Sequence, residues 1–175
     1  MAILGVDDFK SKLTGGGARA NLFRVTCNFP GYAGGDSELA SFLIKGAQLP
    51  ASTVSPITIP FRGRQLQVPG DRTFEPWSIN IINDVNMTVR NAFERWMNGI
   101  NQHNANTGLS NPNDYSADMT VEQLNKEGEV VKSYTFRGCW PSNISAIDVS
   151  YDAENTIEEF QVELQVQYWE SDTTS

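Results

Sequence analysis

Residues Gly70–Gly99 read GDRTFEPWSINIINDVNMTVRNAFERWMNG, and the period of their apolar residues changes partway along. Trp77, Ile79 and Ile81 alternate with Ser78 and Asn80, the two-residue repeat of a half-buried strand. From Val85 the spacing turns helical, and Val85, Val89, Ala92, Phe93, Trp96 and Ile100 fall on one stripe. Asn83 and Asp84 offer side-chain oxygens to the first free N–H groups, and Gly99 suits the left-handed residue that ends a helix. The spacing predicts a strand running directly into an amphipathic helix over 84–98, with no comparable helical pattern elsewhere.

Working outward, the rest of the chain reads as strands. Phe23, Val25, Cys27 and Phe29 alternate with polar residues, and Leu39 to Ala47, with Phe42-Leu43-Ile44, predicts a second strand. Met119–Asn125 and Val130–Phe136 flank Lys126-Glu127-Gly128-Glu129 as a hairpin, with Gly128 at the position that needs positive φ. Ile147, Val149 and Tyr151 alternate with Asp148 and Ser150. In the last strand Phe160, Val162, Leu164, Val166 and Tyr168 face one way while Glu159, Gln161, Glu163, Gln165 and Gln167 face the other. Residues 98–114 are a polar loop, and residues 1–17, with Gly15-Gly16-Gly17, are expected to be a flexible arm.

Residues 49–71 are the most unusual. Pro50, Pro56, Pro60 and Pro69 bracket two extended runs that turn near Arg62-Gly63-Arg64. Prolines leave a central ladder short of donors, so the stretch predicts a protruding hairpin with irregular edges. Val54, Ile57, Ile59, Phe61, Leu66 and Val68 would then expose an apolar patch that either folds back on its own chain or docks on another. The expected fold class is mainly β: two packed antiparallel sheets, sandwich- or barrel-like, with one helix and this long hairpin, in a single domain over 1–175.

No catalytic set emerges. His103 is the only histidine and lies in the polar loop, without Cys, Asp or Glu at metal-ligand spacing. The carboxylate pairs Asp7-Asp8, Asp148/Asp152 and Glu158-Glu159 read as a wet acidic face, with no EF-hand ligand order. Neither enzyme activity nor a metal or cofactor is expected. Cys27 and Cys139 are expected to be buried free thiols. No apolar run reaches the ~20 residues of a membrane span, so no membrane anchor is expected. A formal charge of −8 with no Lys/Arg run argues against a protein that grips nucleic acid, but not against one that lets it pass.

Gly70-Asp71-Arg72-Thr73-Phe74, Trp77 and Asn83-Asp84 also carry a resemblance. With Ala20-Asn21-Leu22-Phe23 before them, and Gly138, Trp140-Pro141-Ser142-Asn143 and Tyr168-Trp169-Glu170 after, they resemble the tail tube proteins of contractile-tailed bacteriophages, in order, over roughly residues 18–170. The resemblance implies a structural virion protein: homohexameric rings stacked into an inner tail tube with a β-barrel lumen, a conduit for genome ejection. It implies sheath, baseplate and tail-terminator proteins as partners, a place in the virion tail, and assembly in the host cytoplasm.

Two sets of site residues follow from that implication. Val54, Ile57, Ile59, Phe61, Arg62, Arg64 and Arg72 are expected to stack on the adjoining ring, Arg72 having an intrachain salt bridge as its other reading. Glu122, Gln123, Glu159, Gln161, Glu163 and Gln165 are expected to line a lumen through which DNA slides without specific binding; read outward, the same face would meet the sheath. Two alternatives stay open: a tube subunit of a type VI-like secretion or contractile injection system, and a monomeric β-sandwich binding module using Trp77, Trp140 and Trp169 as stacking platforms.

Overall fold

The computed structural model describes residues 5–174, so the first four residues of the expected arm lie outside it. Helix α1 (Val6–Lys12) opens the described chain, with Asp7 and Asp8 in its first turn and Lys10 and Lys12 in its last, as the helix dipole favours. None of its side chains is buried. Strand β1 (Phe23–Cys27) follows, with Val25 and Cys27 inside and Arg24 and Thr26 outside.

The strand expected over Leu39–Ala47 is instead a helix, α2 (Ser37–Leu43), with only the short β2 (Ile44–Ala47) after it. Asp36 decides the outcome: its carboxylate accepts the N–H groups of Glu38 and Leu39 at 3.0 and 3.1 Å, capping the helix. Phe42-Leu43-Ile44 straddles the helix end, and periodicity alone does not separate strand from helix in so short an apolar run.

Strands β3 (Ser52–Phe61) and β4 (Arg64–Phe74) pair only with each other as a two-stranded sheet. The decisive stretch gives β5 (Trp77–Ile82) and then α3 (Thr88–Ile100). Here the helix begins later than expected. Asp84 does cap it, accepting the Thr88 N–H and hydroxyl, each at 2.8 Å, but an intervening turn ends at Met87 in the left-handed region (φ 53°). Val85 is therefore outside the helix and fully exposed. Gly99 does not end the helix; it lies in the last turn against the Tyr32 ring, where a Cβ would collide.

A short α4 (Pro112–Tyr115) precedes β6 (Ala117–Leu124), β7 (Val130–Ile144), β8 (Glu159–Gln165) and β9 (Tyr168–Ser171). The β6–β7 turn forms as expected, with Gly128 at φ 84°. Six strands run in the antiparallel order β1-β6-β7-β8-β5-β2, with β9 added beside β7. The fifteen-residue β7 joins two halves: its first part pairs β6 and β9, and its last part pairs β8. The two packed sheets expected from the sequence are these two halves. Trp77 of one half stacks on Phe136 of the other with ring centroids 4.3 Å apart, inside a core that also holds Val25, Met119, Ile79 and Val162. Phe93 and Trp96 of α3 close the core, each packed edge-on against Phe29.

The bend sits at a bulge. Ala117 opposes Cys139 while Met119 opposes Phe136, so β7 advances three residues for two of β6. Gly138 occupies it at φ 63°. Asp118 accepts the Gly138 N–H at 3.1 Å and Arg137 Nη1 at 2.7 Å, while Arg137 Nε reaches Glu170 at 3.4 Å.

Two further expectations change here. The last strand does not continue through Val166 to Tyr168: the chain leaves β8 at Gln165, and Tyr168 pairs Arg137 in the other half. Nor do Ile147, Val149 and Tyr151 form a strand. Because β8 begins only at Glu159, opposite Ile82, residues 145–158 have no strand beside them and form a loop.

Gly138→Ala is expected to cost about 1–3 kcal/mol, the range for a non-glycine residue held in the left-handed region, with a Cβ 2.6 Å from Gln167 Cγ as an added clash. Urea unfolding of the free subunit measures this, and an unchanged midpoint would contradict it.

Candidate functional site

Two backbone features make the β3–β4 hairpin project. Arg62 (φ 46°) and Gly63 (φ 82°) form a two-residue turn with positive φ at both positions, which matches the strand twist and keeps the ribbon narrow. The prolines sit where neither strand has a second neighbour, so their missing donors cost no ladder bonds. A bulge between Val54 and Pro56 kinks the ribbon near its base. At the base, Trp77 Nε1 donates to the Gln48 carbonyl at 2.7 Å, Trp169 Nε1 to that of Ala51 at 3.3 Å, and Phe74 packs edge-on to Trp169.

Beyond that base the ribbon is bare: all ten residues of β3 are exposed. Ile57 opposes Val68, Ile59 opposes Leu66 and Phe61 opposes Arg64, so alternation collects these side chains on one face. Phe61, 66 % exposed, ends that face with the Arg62 guanidinium 5.2 Å from its ring centroid. Val54 and Arg72 oppose each other on the reverse face. The seven stacking candidates therefore divide between two faces, with the aromatic and two of the three arginines gathered at the tip. Among the described residues no ion pair involves Arg62, Arg64 or Arg72, so the intrachain bridge considered for Arg72 does not form.

The six lumen candidates separate as well. Glu159, Gln161, Glu163 and Gln165 alternate with the buried Phe160, Val162 and Leu164 and share the wet face of β8. Glu159 pairs with Lys45 of the edge strand at 2.7 Å, and the Gln165 amide donates to the Ser142 hydroxyl at 3.2 Å. Glu122 lies on the wet face of the other half, paired with Arg24 across the β1–β6 register. Gln123, the next residue, points to the opposite face, and its amide donates to the carbonyls of Arg19 and Leu22 at 2.7 and 2.8 Å. Only the β8 set forms one continuous surface.

Of the three candidate platform tryptophans, Trp140 is half-buried and lines an open groove with Met97 and Ile100, while the other two are packed. Trp77 is core, and Trp169 is wedged edge-on between Phe74 and Tyr134. His103 is exposed in its polar loop. In the loop over 145–158, Val149 and Tyr151, which the sequence reading placed in an alternating strand, are instead 78 % and 107 % exposed, among Asp148, Asp152, Glu154 and Glu158. The density of acidic residues without one Lys or Arg was the available signal.

Comparison with known proteins gives a consistent picture. Residues 18–172 match the family model described as phage tail tube protein. The chain is 33 % identical over 168 residues to the tail tube protein gp19 of Enterobacteria phage T4, covering 94 % of this chain and 99 % of that protein. It is 31 % identical over 163 residues to the tail tube protein of Serratia phage KSP90, covering 91 % and 92 %. Among solved structures, the sheath–tube complex of the extracellular contractile injection system PVC, in its extended state, contains a chain of similar fold. Its TM-score is 0.67 at 13 % identity, over 92 % of this chain and 95 % of that one. A chain of the anti-feeding prophage tube-terminating cap is similar at TM-score 0.65 and 20 % identity, over 91 % and 92 %.

The core carries one more testable property. Cys27 and Cys139 are free and buried; burial pushes the Cys139 thiol up to about 12 and raises that of Cys27 too. The thiolate is the nucleophile, so both are expected to resist Ellman's reagent at pH 8 in the folded protein and to react at once in guanidine. Rapid labelling of the native subunit would contradict the burial.

Proposed function

The chain belongs to the phage tail tube protein family, and on that premise we propose that six copies close into a ring, that rings stack into the inner tube of a contractile tail, and that the genome leaves through its bore. The observation that carries the reading is the bare apolar face of the β3–β4 hairpin, which none of the described residues of the same chain covers. Exposed apolar patches of this kind mark surfaces that another molecule covers. Rings also answer the edge problem: β1 and β2 end the strand order with one flank unpaired, and unpaired edges invite association. Pairing them between sister copies closes a barrel, and repeating a head-to-tail contact along the axis makes a filament.

In this assembly the wet face of β8 lines the bore. Glu159, Gln161, Glu163 and Gln165 donate no positive charge to it, and each ring of six brings six times the chain's formal −8. Screening limits the reach of that charge to about 8 Å at physiological salt, so repulsion acts on phosphates that approach the wall. DNA slides because it is not held, the reverse of a basic binding groove. The subunit acts without catalysis, assembles in the host cytoplasm, and meets sheath, baseplate and terminator proteins in the virion. Identities of 31–33 % to phage tail tube proteins, against 13–20 % to the injection-system chains, favour a phage tail over an injection-system tube.

Replacing residues 53–66 with a short Gly-Ser linker is expected to leave folded, soluble subunits that form no rods under negative-stain microscopy. Rods of normal length would refute the stacking role of the hairpin. Phage whose tubes carry Gln161→Lys and Glu163→Lys are expected to eject their genome more slowly in a dye-release assay, and ejection at normal speed would contradict the β8 wall.

A further inference from the structure

The register of the sheet fixes where two surfaces lie relative to each other. The hairpin joins the body at Trp77, the first residue of β5, which opposes Leu164. The loop over 145–158 joins it at Glu159, which opposes Ile82 at the far end of β5, and the Asn83 N–H donates to the Glu158 carbonyl there at 2.9 Å. The six residues of β5, roughly 20 Å at a strand's rise, therefore separate the hairpin base from the loop, and the two leave the body from opposite ends. A ten-residue strand such as β3 reaches roughly 30 Å, long enough to cross to a neighbouring copy along the same axis.

Chemistry matches the two. The hairpin tip presents Phe61 with Arg62 and Arg64, none of them in an ion pair among the described residues. Residues 145–158 carry Asp148, Asp152, Glu154 and Glu158 and no Lys or Arg. None of these four carboxylates is ion-paired among the described residues, whereas Glu94, Asp118, Glu122, Glu159, Glu170 and Asp172 all are. The loop encloses an open groove of about 460 Å³, in which apolar Ala146, Ile147, Val149 and Ile157 alternate with polar Ser150 and Thr156, and whose edge carries Asp148, Glu158 and the Lys45-paired Glu159. An aromatic ring suits such a groove, and the carboxylates on its rim suit guanidinium groups on either side of that ring. The β6–β7 turn and α1, which also expose apolar and acidic residues, fit less well, since Lys126 and Lys132 offset Glu127 and Glu129 in the one and Lys10 and Lys12 offset Asp7 and Asp8 in the other.

We propose that the groove of the 145–158 loop is the receptor for the hairpin tip of a second copy of this chain, Phe61 entering the groove and Arg62 and Arg64 pairing with its acidic rim. This rests on the tube reading and names the surface on which the hairpin stacks. A donor and an acceptor at opposite ends of one subunit make a heterologous contact that repeats without closing, as a stack of rings requires.

Charge exchange tests the pairing. Four samples are compared by negative-stain microscopy and sedimentation: the unaltered protein, R62E/R64E, D148R/E158R, and all four changes together. The unaltered protein is expected to form rods, each double variant rings without rods, and the quadruple variant rods again. Rods from D148R/E158R alone, or no recovery in a quadruple variant that still forms rings, would overturn the pairing. Failure of the unaltered protein to form rings or rods would instead overturn the tube reading beneath it. As a second readout, F61C/V149C is expected to give an open-ended ladder of disulfide-linked chains on oxidation, the native thiols being buried. A ladder absent from assembled rods would likewise overturn the proposal.

Discussion

An apolar ribbon that its own chain does not cover is the constraint on which the structure depends. Ile57, Ile59, Phe61 and Leu66 lie together on the hairpin, each at least 45 % exposed, while the same chain buries Ile79, Ile81 and Val162 completely. The body thus satisfies its own core and leaves the ribbon unsatisfied. At about 25 cal/mol per Å² of apolar surface, covering such a face is a substantial driving force, from which the entropy of fixing one subunit on another must be subtracted.

The rest of the fold serves to hold that extension still. Trp77 links the core to the hairpin base, its ring stacked on Phe136 and its N–H bound to the Gln48 carbonyl. Trp169 does the same from β9, between Tyr134 and Phe74. Both tryptophans depend on the bend of β7 at Gly138, which brings the two halves of the sheet over each other and lets β9 pair Tyr134–Arg137. The Asp118–Arg137–Glu170 cluster pins that bend on the wet side. Arg137 keeps its charge firmly, since its hydrogen bond to Asp118, together with that carboxylate's charge, raises its pKa.

Much of this was legible in the sequence because the signals were local. The strand-to-helix change after Trp77, the proline-bracketed hairpin and the Gly128 turn each rest on neighbours within a few residues. Two of the misreadings, at residues 147–151 and 166–168, occurred where a distant partner decided the outcome. Ile147, Val149 and Tyr151 alternate like a strand, but β8 starts too late to give them a ladder. Tyr168 continues the β8 pattern, yet its chain crosses to the other half at Gln167, whose N–H donates to the Arg137 carbonyl. Glu122 and Gln123 are adjacent in sequence and point to opposite faces, which the two-residue repeat implies as soon as β6 is placed in its register. The α2 helix was signalled by Asp36 and obscured by the apolar run at its end. The greasy residues of the hairpin could be read directly, but their division into two faces required the register.

Sedimentation velocity across a wide concentration range tests the central claim most directly. An uncovered hairpin face predicts that the subunit converts with rising concentration into ring-sized and then much longer species. A single monomeric species at every concentration and ionic strength, with hairpin amides as protected from hydrogen exchange as those of β5, would contradict it.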